Sequence, residues 1–230
     1  MTRLLEVSGL RAGYGRVEVV HGIDLHVEPG EVVALLGPNG AGKTTTLSTI
    51  AGELPPLGGE VRLLDCDARD PLHIRARRGL AVVTQERAVL MELTAAENLR
   101  VSRCDADRAV ELFPELEAHL DRKVGLLSGG QQQMLALARC LARPSRLLLV
   151  DELSLGLAPI IVERLLRAVR AAADEGLGVL LVEQHVHQAL ATADRVLVLR
   201  RGVIELDGTA AELLERVDEI QAAYLQPVDG

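Results

Sequence analysis

Four short runs of valine, leucine and alanine, Val32–Leu36, Leu80–Val83, Leu147–Val150 and Val179–Val182, constrain the fold more than any other feature. They show little alternation of apolar with polar residues, so both faces of each strand must be covered, as in central parallel strands. The intervening segments carry helical periods; in Ile160–Ala173, for example, Ile161, Leu165, Leu166 and Val169 share a face. Alternating strand and helix predicts an α/β core with a ligand at the C-terminal ends of the strands. The segment Ile23–Glu28 differs, because Ile23, Leu25 and Val27 alternate with Asp24, His26 and Glu28. That is a strand with one wet face, and antiparallel pairing near the N-terminus is expected. From about Glu86 to Gly130 the pattern turns mostly helical, broken at Pro114, which marks a candidate subdomain. The tail from Thr209 reads as a short helix and a frayed end.

The first of these strands runs into Gly37-Pro-Asn-Gly-Ala-Gly-Lys-Thr-Thr45 and then into a helix expected over Lys43–Ala51. In the spacing G-x-x-x-x-G-K-T, Gly37, Gly40 and Gly42 bend the backbone so that its N–H groups surround phosphate oxygens. Pro38, Asn39, Ala41 and Thr45 complete that loop. Lys43 would reach the outer phosphates and Thr44 would ligate magnesium, with the positive end of the helix beneath. Composition sharpens the point: the chain's two lysines, Lys43 and Lys123, stand beside twenty-three arginines, and one of the two lies where a phosphate loop needs it.

Two further words carry chemistry. The apolar strand Leu147–Val150 ends in Asp151 and Glu152, and charges at the end of a buried strand need partners. Beside a phosphate loop, Asp151 can hold the magnesium shell while Glu152 orients or deprotonates an attacking water. Leu127-Ser-Gly-Gly-Gln131 precedes a helical run, Gln131–Ala142, and Ser128 is a natural N-cap. Gly129 and Gly130 bare the N–H groups at that helix start, making a second anion site. By average residue frequencies, this pentapeptide arises by chance in roughly one chain in several thousand.

The remaining features exclude as much as they assign. Tyr14, between Gly13 and Gly15, is one of three aromatic residues with Phe113 and Tyr224, and it can stack on a base or sit in the core. A net charge of −8 argues against a nucleic-acid binder. Cys66, Cys104 and Cys140 share no metal or redox spacing and read as incidental thiols of a reducing compartment. No apolar run approaches a membrane span, so a membrane role requires another subunit.

The order of phosphate loop, LSGGQ and strand-Asp-Glu resembles that of the ATP-binding cassette ATPases over nearly the whole chain. The resemblance implies a P-loop NTPase core of α/β class with N-terminal antiparallel strands. One domain would span 1–230, with 1–85 and 133–230 as the nucleotide-binding core and 86–132 as the helical subdomain. It implies ATP and Mg2+ as ligands, with Tyr14 on the adenine and Gln85 sensing the magnesium and the membrane partner. Leu127–Gln131 of one cassette would close on ATP held by the phosphate loop of a second ATPase subunit, either a related chain or a copy of itself. Expected partners are integral membrane permeases and an extracytoplasmic solute-binding protein, with the chain peripheral on the cytoplasmic face.

Asp151–Pro159, Val182-Glu-Gln-His185 and Ala223-Tyr-Leu225 are most similar to ATPase subunits of branched-chain amino-acid importers. A cassette for another solute, such as urea or short amides, and a regulatory cassette without transport are the alternatives. DNA-repair cassettes are excluded by the lack of long heptad coiled coils. Three positions depart from the family pattern. Leu153 replaces the proline after the catalytic acid, which implies a looser turn, and Ala158 occupies the D-loop aspartate position. Counting back ten residues from Asp194 puts Gln184, not His185, at the switch. The segment from Asn98 to Phe113 is also short for such importers. His185 and His187 diverge along a helix and read as surface residues rather than a metal pair.

Overall fold

The computed structural model describes residues 3–66, 70–86 and 88–225. Its centre is a six-stranded sheet made of β3 (Val32–Leu36), β5 (Leu80–Val83), β6 (Leu147–Asp151), β7 (Gly178–Glu183), β8 (Arg195–Arg200) and β9 (Val203–Thr209). The order is β5-β6-β7-β3-β8-β9, parallel except for the β8–β9 pair. β6, β7 and β3 are fully buried along their length, as the unbroken apolar runs require. Leu80–Val83 is the exception: it is an edge strand with Ala81 and Val82 partly exposed, not a central one.

The side-chain period of two divides each buried strand between the two faces of the sheet. Val33 and Leu35 of β3, Leu147 and Leu149 of β6, and Leu180 and Val182 of β7 pack toward α1 (Lys43–Ala51) and a second sheet. Leu148, Val150, Val179 and Leu181 pack on the other face against α5 (Gly129–Leu141) and α6 (Pro159–Asp174). The second sheet is antiparallel, ordered β2-β1-β4, from β1 (Leu5–Tyr14), β2 (Val17–Val27) and β4 (Gly58–Leu63). Ile23, Leu25 and Val27 of β2 are buried and Asp24 is exposed, so the alternation read from the sequence is the alternation observed.

α2 (Leu72–Arg77) precedes β5. Between β5 and β6 lie α3 (Ala95–Val101), α4 (Ala106–Leu112), two 3-10 turns at Pro114–His119 and Val124–Leu126, and then α5. Pro114 opens the first 3-10 turn, where its missing N–H costs nothing. Phe113 anchors this segment: it is fully buried, and the guanidinium of Arg164 on α6 lies 4.8 Å above its ring. Such a pair is worth about 1 kcal/mol.

α7 (Val186–Thr192) links β7 to β8. The tail differs from the single short helix expected. The chain enters α8 (Ala210–Leu214) through a capping box of Thr209 with Glu212, and continues as α9 (Val217–Leu225). Leu213 and Ile220 are buried there, packed with α7 and the outer strands. The expectation of a frayed end concerns 226–230, outside the described residues. All three cysteines are free thiols, and burial pushes the Cys140 thiol up to about 11, which keeps it unreactive at neutral pH.

Candidate functional site

The C-terminal ends of β3, β6 and β7 meet under the loop that follows β3. Gly37 comes so close to the strand beside it that a Cβ there would lie 2.3 Å from the Leu199 carbonyl oxygen, and Gly42 has φ 107°, a left-handed value. These two glycines are required by contact and conformation respectively. The loop is pinned from outside by the Gly202 N–H, which donates to the Ala41 carbonyl at 3.1 Å. Lys43 folds back beneath it, its ammonium donating to the carbonyls of Gly37 at 2.8 Å and Pro38 at 3.2 Å.

The same ammonium lies 3.6 Å from Oε1 of Glu152, and the Gln184 amide donates to that oxygen from the other side at 2.6 Å. Both contacts fall on one oxygen of a carboxylate whose side chain is 11% exposed. Burial lowers the Lys43 ammonium from its usual range, with Glu152 opposing that shift. His185 and His187 are both exposed, and His185 occupies the N-cap position of α7. Of Gln184 and His185, the side chain that touches Glu152 is that of Gln184.

Burial also raises the Asp151 carboxyl above the ordinary carboxylate range; a hydrogen bond from the Thr44 hydroxyl opposes this, Glu152 adds to it and Lys43 opposes it. Its Oδ1 is buried with no hydrogen-bond partner among the described residues. A hydroxyl and an under-satisfied carboxylate oxygen side by side are the hard-oxygen donor set that Mg2+ prefers. Because the folded chain holds the Asp151 proton more tightly than the unfolded chain, this residue contributes stability at acid pH that is lost as pH rises through its folded pKa. Without metal or nucleotide, Asp151→Asn is expected to stabilise the protein by about 1 kcal/mol at neutral pH, or about 2–4 °C in Tm. The gain shrinks as pH falls. Thermal scans with and without Mg2+ check this; an Asn variant that is no more stable than wild type at pH 7 refutes it.

Lys43, Thr44, Glu152 and Gln184 line a cleft of ≈ 600 Å³ with Asn39, Gly40, Thr45, Gln85 and Tyr14 along its walls. Tyr14 is 57% exposed, so of its two readings the core is excluded and the cleft wall is what remains. Leu127–Gln131 do not line this cleft; they form the start of α5. There Ser128 caps the helix and Gln131 closes a capping box, its side chain accepting from the Ser128 N–H at 2.9 Å. Gly130 is packed so closely on Ile161 that a Cβ would meet it at 3.1 Å. Beside the cap at Ser128, which the sequence showed, Gly130 and Gln131 thus have work within the chain that the spacing did not show.

The family profile described as ABC transporter matches residues 20–154, from β2 through the phosphate loop and both acids. The chain belongs to the ABC transporter family. This cassette is 39% identical to the high-affinity branched-chain amino acid transport ATP-binding protein BraG of Pseudomonas aeruginosa, over 96% of this chain and 99% of the relative. It is 35% identical to the lipopolysaccharide export system ATP-binding protein LptB of Escherichia coli, over 96% of each. The solved structure of an ATP-binding subunit of an ABC transporter superposes with a TM-score of 0.84 at 27% identity, over 97% of the cassette and 100% of that chain. The cassette is accordingly an ATP-binding ATPase. No helix among its described residues is long and apolar enough to cross a membrane.

Sequence reasoning missed Glu183, which is fully buried at the end of β7 and bonded to Ser154. The signal was present, since a glutamate directly after Val179–Val182 is as conspicuous as the acids that follow Leu147–Val150.

Proposed function

We propose that the cassette hydrolyses ATP with Glu152 as the general base, Lys43 and the loop Gly37–Thr45 on the phosphates, and Tyr14 against the adenine. The observation that supports this best is the Glu152 carboxylate, held on Oε1 by Lys43 and Gln184 at the mouth of the phosphate loop. Its second oxygen is then left to orient and deprotonate a water in line with the γ-phosphate. The loop N–H groups and the N-terminus of α1 stabilise the charge on the transferring group. Mg2+, when bound, neutralises charge on the β- and γ-phosphates; Thr44 and Gln85 would ligate it directly and Asp151 through water. Lys43 exchanges its carbonyl partners for phosphate oxygens as ATP enters. Gln184 supplies a hydrogen bond but takes up no proton.

Losing that bond to a charged group is expected to lower kcat roughly ten- to a hundredfold in Gln184→Ala. His185→Ala, at an exposed position, is expected to stay within about twofold of wild type. Phosphate-release assays rank the two, and the reverse order assigns the switch to His185.

Leu127–Gln131 would complete the site of a second cassette, so two chains would enclose two ATP molecules. Residues 86–132 would form the helical subdomain that, with Gln85, passes closure to membrane permeases, and 1–85 and 133–230 the nucleotide-binding core; α5 crosses that boundary and couples the two. The chain would then sit peripherally on the cytoplasmic face of the membrane. Similarity to BraG, together with Asp151–Pro159 and Val182–His185, supports an importer of branched-chain amino acids fed by a solute-binding protein. Similarity to LptB makes export the rival direction. Leucine uptake and ATP turnover in vesicles containing the cassette with its permeases test this. Turnover stimulated by leucine-loaded binding protein is expected, and indifference to every branched-chain amino acid refutes the cargo.

A further inference from the structure

Glu152 has a φ of 50°, in the left-handed region that residues other than glycine rarely adopt. It is followed by Leu153, so no proline ring stiffens the turn. Something else must hold this backbone, and the contacts identify it. On one side the Glu152 N–H donates to the Val182 carbonyl at 3.0 Å. On the other, Leu153 is buried among the residues packed on α6, and Ser154 is bonded twice to the next residue of β7. The Ser154 N–H donates to Glu183 Oε1 at 3.2 Å and its hydroxyl donates to Oε2 at 2.7 Å. The Gln184 N–H donates to the same Oε2 at 3.3 Å, and the Gln184 side chain returns to Glu152.

The contacts form a closed ring from the end of β7 to the turn after β6 and back, and Glu183 is the member that touches both loops. A fully buried carboxylate is expensive unless it is hydrogen-bonded, and these three donors satisfy both of its oxygens. A purely structural polar residue would need no such placement between the proposed base and its amide partner.

We propose that Glu183 is a positioning residue for ATP hydrolysis, clamping the Leu153–Ser154 turn to the Gln184 loop so that Glu152 is aimed at the attacking water. This rests on Glu152 being the base. A glutamine at 183 has the same shape, but turned one way it sets an NH2 against the Ser154 N–H and turned the other way against the Gln184 N–H, so either way the clamp loses a contact. Ser154→Ala removes one donor of the ring, the hydroxyl, and leaves the Ser154 N–H in place, and Ser154→Thr keeps the hydroxyl.

The test uses the whole chain with Mg-ATP. Steady-state phosphate release gives kcat and KM, and hydrogen exchange reports peptides covering 152–156 and 183–186. Glu183→Gln is expected to lower kcat by at least about tenfold with KM within about twofold, and to speed exchange in both peptides while β3 stays protected. Ser154→Ala should show a smaller fall that Ser154→Thr restores. Wild-type kcat with unchanged exchange in Glu183→Gln overturns the proposal. Loss of protection throughout β6 and β7 with a raised KM also overturns it, because the residue would then be a general support of the core. Glu152→Gln is measured alongside: if it turns over like wild type, the base assignment itself fails. That outcome is distinct from an essential Glu152 beside an indifferent Glu183. The exchange readout applies whether turnover needs one chain or a second cassette.

Discussion

Glu152→Gln is expected to lower kcat by about 10²–10⁴-fold while leaving ATP affinity close to that of wild type. The amide keeps the size of the side chain and can still accept from Gln184, but it cannot take a proton from water. It also removes the negative charge 3.6 Å from the Lys43 ammonium, so phosphate oxygens no longer compete with a carboxylate for that lysine. Bound ATP should therefore persist, and light scattering should show a dimer of the variant that forms with ATP and not with ADP. A variant that keeps more than about a third of wild-type turnover would falsify the assignment of Glu152 as base. Absence of an ATP-dependent dimer beside an inactive variant would point to an obligatory different partner cassette.

The second large effect is at Lys43, where arginine is expected to fail as completely as alanine. Each should weaken ATP binding by at least about a hundredfold, as read by a fluorescent nucleotide analogue. Lys43 is 5% exposed, and its ammonium sits beneath a loop whose Gly37 and Pro38 carbonyls it bonds. A compact point charge on four methylenes fits that space, whereas a planar guanidinium needs room for a fork of five donors. In a chain that otherwise uses arginine for nearly every cation, lysine here is a steric requirement. Lys43→Arg binding ATP within about tenfold of wild type would show that charge alone suffices.

How much of this was legible in the sequence depended on whether the signal was local. The loop Gly37–Thr45, the acids after β6 and the cap at Ser128 are each set by neighbours in the chain, so spacing revealed them. The β2 alternation and the buried runs of β3, β6 and β7 were equally plain, because burial on one or two faces writes itself into residue order. β8 and β9 were not recognised, although Val196–Leu199 is as apolar as the runs that were. That hairpin supplies the carbonyl that presses on Gly37 and the N–H that pins Ala41, so part of the phosphate loop's shape is set by residues about 160 positions away. The edge position of β5 depends on sheet order, which its own four residues do not encode.

By itself the sequence determined the identity of the chemistry, because phosphate binding and water activation require particular side chains at particular short spacings. Only the tertiary structure decided which of those side chains meet. It placed Tyr14 on the cleft rather than in the core, put Gln184 instead of His185 against Glu152, and brought Glu183 to Ser154 across 29 residues. The reason is physical: each of these contacts joins the ends of different elements, and their distance is set by how helices and strands pack on the central sheet, a cooperative outcome of the whole core that no local spacing records.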